Sequence, residues 1–128
     1  MSALYSLRVA SEFAAAHHLR HYEGDCNRLH GHNWRVEAEV EARELDSAGM
    51  GIDFREIRRN LRAITERLDH RYLNELDPFT ELNPTAENIA RHIHGELSAR
   101  LNGPVIRVVA VTVWENDRAS VRYTHQEA

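Results

Sequence analysis

The run His30-Gly31-His32-Asn33-Trp34-Arg35-Val36-Glu37-Ala38-Glu39-Val40-Glu41 alternates with period two. His32, Trp34, Val36, Ala38 and Val40 share one face, while Arg35, Glu37, Glu39 and Glu41 share the other. That is the pattern of a half-buried antiparallel strand, one face on a core and one in water. Upstream, Leu7, Val9, Phe13 and Ala15 also recur at period two and predict a first strand running towards His17. Downstream the period changes. Asp53 reads as a helix N-cap with Glu56 at the capping-box position, and Phe54, Ile57, Leu61, Ile64 and Leu68 follow at helical spacing, so this helix is expected to end near Asp69. Thr85, after Pro84, caps a second helix carrying Ile89, Ile93 and Leu97, with its stop at Asn102-Gly103-Pro104. Residues 105–115 form a β-branched strand, apolar on both faces, and a turn over 116–119 leads to a shorter strand over 121–124.

The order β-β-α-α-β-β predicts a four-stranded antiparallel sheet covered on one face by two helices, an α+β fold in a single domain over 1–128. If Val109, Val111 and Val113 face the helices, then Ile106, Val108, Ala110 and Trp114 face outward. An apolar patch of that kind seeks a partner, which implies a homo-oligomer.

Composition narrows the function classes. A chain of 128 residues, 42% hydrophobic and 28% charged, suits one globular domain with a modest core. The formal net charge of -4 argues against general nucleic-acid binding. No apolar run approaches the roughly 18 residues of a membrane span, and residues 1–9 lack the basic and long apolar regions of a secretory signal. The expected address is the cytoplasm, with no membrane partner. A single cysteine, Cys26, excludes an intramolecular disulfide framework, and nine histidines direct attention to metal-ligand geometry.

His30 and His32 flank Gly31, and residues two apart in a strand point to the same side. His17 shares the parity of Leu7, Val9 and Phe13, just as His30 and His32 share that of Trp34 and Val36. All three therefore project from core-facing positions of adjacent strands. Three neutral imidazoles with a fourth position open describe a catalytic zinc site. His18 has the opposite parity and is excluded from the ligand set.

Cys26 lies just before the histidine pair among polar residues. A nearby dication would lower its thiol pKa and suit it to proton transfer. The alternatives are a fourth zinc ligand or a small buried hydrophobe. Asp69-His70 joins a carboxylate to an imidazole that it can orient, or else simply ends a helix in polar residues. Glu115 shares the parity of Val109, Val111 and Val113 at a strand end, where a carboxylate is either solvated or placed to bind a planar amidine-like edge.

Six segments now stand in order: residues 13–17 (Phe-Ala-Ala-Ala-His), 26–32 (Cys26 through Leu29-His30-Gly31-His32), 52–54 (Ile-Asp-Phe), 68–74 (Leu-Asp-His-Arg-Tyr-Leu-Asn), 84–87 (Pro-Thr-Ala-Glu) and 114–115 (Trp-Glu). Together they resemble the signature segments of the 6-pyruvoyltetrahydropterin synthase and 6-carboxytetrahydropterin synthase family, over nearly the whole chain. The Cys26 to His30 spacing and the Leu-His-Gly-His form are closer to the bacterial 6-carboxytetrahydropterin synthases of queuosine biosynthesis than to the animal pyruvoyl enzymes. The resemblance implies a tunnelling fold, whose subunits join their sheets into a barrel, commonly a hexamer of two trimers. It implies zinc on His17, His30 and His32, proton transfer by Cys26, Asp69 and His70, and a pterin ring anchored by Glu115 with help from Thr85.

Two departures, Asn116 where threonine is frequent and Ala86 where a hydroxyl is common, bear on fine pterin contacts. The implied reaction converts 7,8-dihydroneopterin triphosphate to 6-carboxy-5,6,7,8-tetrahydropterin with loss of acetaldehyde and triphosphate. Charge and proximity place Arg20, His21 and Arg28 as candidates to meet the triphosphate. The alternatives are a 6-pyruvoyltetrahydropterin synthase, or a non-catalytic metal- or pterin-binding oligomer.

Overall fold

β1 (Tyr5–His17) and β2 (His30–Ala42) pair antiparallel over their whole length, from Tyr5 opposite Ala42 to His17 opposite His30. The chain continues through α1 (Phe54–Thr65), β3 (Arg71–Tyr72), a 3₁₀ turn (Leu73–Glu75), α2 (Ala86–Leu101), β4 (Ile106–Asn116) and β5 (Ala119–Thr124). In this computed structural model, which describes residues 3–24 and 28–125, the sheet order is β3-β1-β2-β4-β5. α1 packs on β1, and α2 packs on β4 and β5.

The core lies between the helices and one sheet face. Phe13, Trp34, Val36, Ala38 and Val40 from the sheet meet Ile57, Leu61, Ile89, Ile93 and Leu97 from the helices, all buried. Each fully buried branched aliphatic side chain contributes about 1.5–3 kcal/mol, so this layer supplies the rigidity on which the site depends. The opposite face is ionic. Arg122 bonds Glu39 at 2.8 Å and Arg8 approaches the same carboxylate at 3.6 Å, which holds Glu39 below the usual carboxylate range, chiefly through Arg122.

Both helix starts match their predicted caps. The Asp53 side chain accepts from the Arg55 N–H, and the Thr85 hydroxyl accepts from the Asn88 N–H at 3.1 Å. α1 ends earlier than expected, at Thr65 rather than near Asp69. The chain tightens there into turns, with Arg67 N–H donating to the Ile64 carbonyl and Leu68 N–H to that of Thr65, while Leu68 stays buried.

The sheet differs from expectation in two ways. It has five strands, the added one being β3, which pairs parallel with the end of β1. His70 adopts a positive φ of 57° and its N–H donates to the Ala14 carbonyl at 2.6 Å, laying Arg71 and Tyr72 against the β1 edge. Two residues are too few to carry a period. The second difference is a bulge. Glu39 pairs with Ala110 and Val40 with Val108, leaving Val109 as the extra residue. A bulge reverses side-chain parity, so Val108 joins Val111 and Val113 in the core and Ile106 packs against it. The outward apolar set expected on this strand is thereby reduced, and the case for association moves from an apolar face to open strand edges. No helix of the described residues is long and apolar enough to cross a membrane.

Candidate metal centre

The full-length register of β1 and β2 sets His17 directly opposite His30 and Ala15 opposite His32. The three imidazoles consequently meet at one end of the sheet on its core side, with ring centroids 4.5 Å (His17 to His30), 4.6 Å (His30 to His32) and 5.1 Å (His17 to His32) apart. Trp34 forms their apolar floor, its ring edge-on to His17 at 5.0 Å and to His32 at 5.2 Å.

Backbone carbonyls fix how two of these rings present themselves. His17 Nδ1 lies 2.7 Å from the Pro84 carbonyl and His30 Nδ1 lies 2.6 Å from that of Arg28. A carbonyl only accepts, so Nδ1 carries the proton in both rings and Nε2 keeps its lone pair. Such partners orient metal-binding histidines and set their tautomer. His17 Nε2 and His32 Nε2 are buried without a hydrogen-bond partner. A buried polar atom left bare is costly, and a metal ion is the partner that would satisfy both at once. The donor set fits one. Burial holds His17 below the ordinary imidazole value, aided by His30 and His32 and opposed by the Pro84 carbonyl and Glu115. Burial does the same to His32, with Glu115 opposing. Neutral rings are the form that coordinates.

β4 adds the carboxylate of Glu115, which the family resemblance implies as the pterin anchor and which here lies beside the histidines. Glu115 Oε1 lies 3.3 Å from His32 Nε2 and 3.7 Å from His17 Nε2. Candidate ligand atoms of His17, His30, His32 and Glu115 all fall within 4.8 Å of one another. The parity of Glu115 with Val113 was the available signal, and it placed the residue on the core face without saying how far it reaches.

The other expected residues are placed differently. Asp69 Oδ1 accepts from the Ala14 N–H at 2.8 Å and Oδ2 lies 3.0 Å from His70 Nδ1. The Ala14 N–H, and then His70, hold the Asp69 carboxyl below its usual range. The His70 side chain is 83% exposed. It shares with His32 an open hollow of about 490 Å³, also lined by Ala14, Gly31 and Tyr72, but stands outside the ligand cluster. Thr85 caps α2, one residue after the carbonyl that orients His17. Cys26 lies outside the described residues.

His18 takes no part in the cluster: its Nδ1 bonds the Tyr72 hydroxyl and its backbone is held on both sides by the Asn74 side chain. Arg20, a candidate for the triphosphate, instead donates to the carbonyls of Phe79, Asn74 and Leu82. Its guanidinium serves as a clamp between the loop after β1 and the segment before α2. Pro84, Arg28 and Trp34 were missed, because a carbonyl contribution depends on tertiary placement and a tryptophan on a core face reads as packing.

Comparisons with known proteins give the chain its relatives in sequence and in fold. The family model described as 6-pyruvoyl tetrahydropterin synthase matches residues 6–126. A 6-carboxy-5,6,7,8-tetrahydropterin synthase of Synechocystis is 36% identical over 116 residues, covering 87% of this chain and 86% of the relative. A dihydroneopterin monophosphate aldolase of Pyrococcus furiosus is 32% identical over 111 residues, covering 87% of this chain and 90% of the relative. In fold, the chain superposes on the 6-pyruvoyl tetrahydropterin synthase of Caenorhabditis elegans with a TM-score of 0.86, at 24% identity and over 98% of both chains.

Proposed function

The chain belongs to the 6-pyruvoyl tetrahydropterin synthase family, and we propose that within it the protein is a zinc-dependent 6-carboxy-5,6,7,8-tetrahydropterin synthase acting on 7,8-dihydroneopterin triphosphate. The observation that carries the metal is the pair of buried, unpartnered Nε2 atoms of His17 and His32 beside His30. The observation that carries the product is the similarity to the Synechocystis enzyme across most of both chains.

Zinc held by His17, His30 and His32 would act as a Lewis acid on the side-chain oxygens of the substrate. Pro84 and Arg28 hold two of the ligand rings in the binding tautomer, and Trp34 excludes water beneath them. Cys26 takes and returns a proton at the substrate side-chain carbons, and the Asp69–His70 pair serves a second transfer, with Asp69 held ionised by the Ala14 N–H. Glu115 and Thr85 meet the pterin ring. The overall change consumes water and releases acetaldehyde and triphosphate. A homo-oligomer, a hexamer of two trimers in this reading, is favoured by two sheet edges. β5 pairs on one side only, and β3 covers only residues 15–16 of β1. Open edges of this length are protected by pairing. The cytoplasm is the proposed location.

The Pyrococcus relative supports a second reading, an aldolase on the monophosphate. One experiment separates them. The zinc-loaded protein is incubated with 7,8-dihydroneopterin triphosphate and, separately, with the monophosphate, and products are identified by mass spectrometry. A 6-carboxytetrahydropterin from the triphosphate is the expected result. A 6-pyruvoyl product, or side-chain cleavage of the monophosphate to a 6-hydroxymethyl pterin, moves the assignment within the family, and no product from either leaves a binding protein.

A further inference from the structure

We infer that Glu115 is the fourth ligand of the metal in the substrate-free protein, closing the centre that His17, His30 and His32 begin. This rests on the reading of those three histidines as a metal site, and it adds a role that the pterin-anchoring assignment of Glu115 does not contain.

Distance is the first argument. A tetrahedral ion with bonds of about 2.0–2.1 Å holds its ligand atoms about 3.3–3.4 Å apart. Glu115 Oε1 stands 3.3 Å from His32 Nε2, the spacing of two ligands along an edge of such a site, and 3.7 Å from His17 Nε2, a few tenths of an ångström longer.

Hydrogen-bond chemistry is the second. His17 Nδ1–H donates to the Pro84 carbonyl, so Nε2 presents a lone pair to a carboxylate oxygen that also only accepts. Two acceptors facing each other, one of them a buried ring nitrogen, repel unless a cation lies between them. With its proton held at Nδ1, the neutral His17 ring has no Nε2–H to donate to the carboxylate, and neither the His17 nor the His32 Nε2 has a hydrogen-bond partner.

Local backbone is the third. Trp114 pairs with Ser120 and Asn116 with Ala119, so Glu115 is the extra residue of a bulge beside the turn into β5. A bulge re-aims one side chain out of the ladder, and here it aims the carboxylate at the histidines. Among the described residues, the only basic groups within 4.0 Å of that carboxylate are His17 and His32. Among the described residues no arginine fixes it in this position, and its side chain is 34% exposed, which leaves room for it to swing outward. A carboxylate on the metal cannot pair with a pterin edge at the same moment, so the two roles alternate.

The test uses the full chain loaded with zinc or cobalt(II), in the absence of any pterin. Glu115→Gln and Glu115→Asp are compared with wild type by chelator competition, by the visible spectrum of the cobalt form and by thermal melting to establish folding. Each variant is expected to keep the three-histidine site but to bind zinc at least about tenfold more weakly, with a cobalt spectrum altered from that of wild type. Unchanged affinity and an unchanged cobalt spectrum in both folded variants overturn the inference while leaving the histidine site standing. Retention of metal by the His30→Ala, His32→Ala double variant overturns the reading beneath it, so the two failures are distinguishable.

Discussion

Imidazole and carboxylate meet twice in this molecule, and the two meetings behave differently. At the surface, Asp69 and His70 lie 3.0 Å apart with the imidazole 83% exposed and the carboxylate already bonded to the Ala14 N–H. At the end of the sheet, Glu115 faces His17 and His32 at 3.7 and 3.3 Å, with His17 only 2% exposed and its Nε2 unpartnered. The first group has its partners and water as well. In the second, the Nε2 atoms of His17 and His32 have been removed from water without a hydrogen-bond partner. Burial of the ring nitrogens turns a meeting of imidazole and carboxylate from a solvated contact into a ligand set suited to a metal, because a bare buried polar atom costs far more than an exposed one.

The most disruptive way to break this contrast is to let water into the buried group. Trp34→Ala removes the floor under His17 and His32 and is expected to cost about 3–5 kcal/mol of stability, with weakened metal binding, as read by urea denaturation and chelator competition. A smaller effect sharpens it from the other side. Asp69→Asn and Cys26→Ala are each expected to keep zinc at wild-type content and lose turnover on the order of a hundredfold, measured by steady-state kinetics alongside metal analysis. Near-normal turnover in a folded, zinc-loaded Cys26→Ala protein would remove the proton-transfer role.

The two groups also unload in different pH windows. His17 and His32 have folded values below the ordinary 6.5, so the unfolded chain binds more protons as pH falls beneath that value. In metal-free protein the stability is therefore fully present above about pH 6.5 and declines on acidification towards the depressed folded values. Asp69, whose folded value is depressed, contributes stability above its unfolded value of about 3.9 that is lost only as pH falls further. A series of urea melts from pH 8 to about 3 checks this: His32→Gln should flatten the upper limb, and Asp69→Asn should leave that limb unchanged.

These features differ in how far the chain announces them. The alternation from His32 to Val40 and from Leu7 to Ala15 put three histidines on the core side of neighbouring strands, and the observed register places His17 opposite His30. Period-two patterns carry that kind of information well, as do the caps Asp53 and Thr85, because both are local. The bulges are not local. Val109 reverses the parity of β4, and Glu115 leaves the β5 ladder, through how three strands are accommodated together. Arg20 has the charge of an anion ligand but is occupied by carbonyls some 54 to 62 residues away. The two residues of β3 are too short for any period to mark.

The smallest expected change concerns the histidine next door. His18→Ala removes the bond to Tyr72 and should cost about 1 kcal/mol, visible in thermal melting, while zinc content stays at the wild-type level. Adjacent histidines would then divide cleanly into ligand and scaffold by strand parity alone.

Metal content of purified protein, determined by elemental mass spectrometry after zinc loading and desalting, tests the histidine centre most directly. The account predicts about one zinc per chain in wild type and almost none in a folded His30→Ala, His32→Ala double variant. Full zinc occupancy in that folded double variant would contradict it.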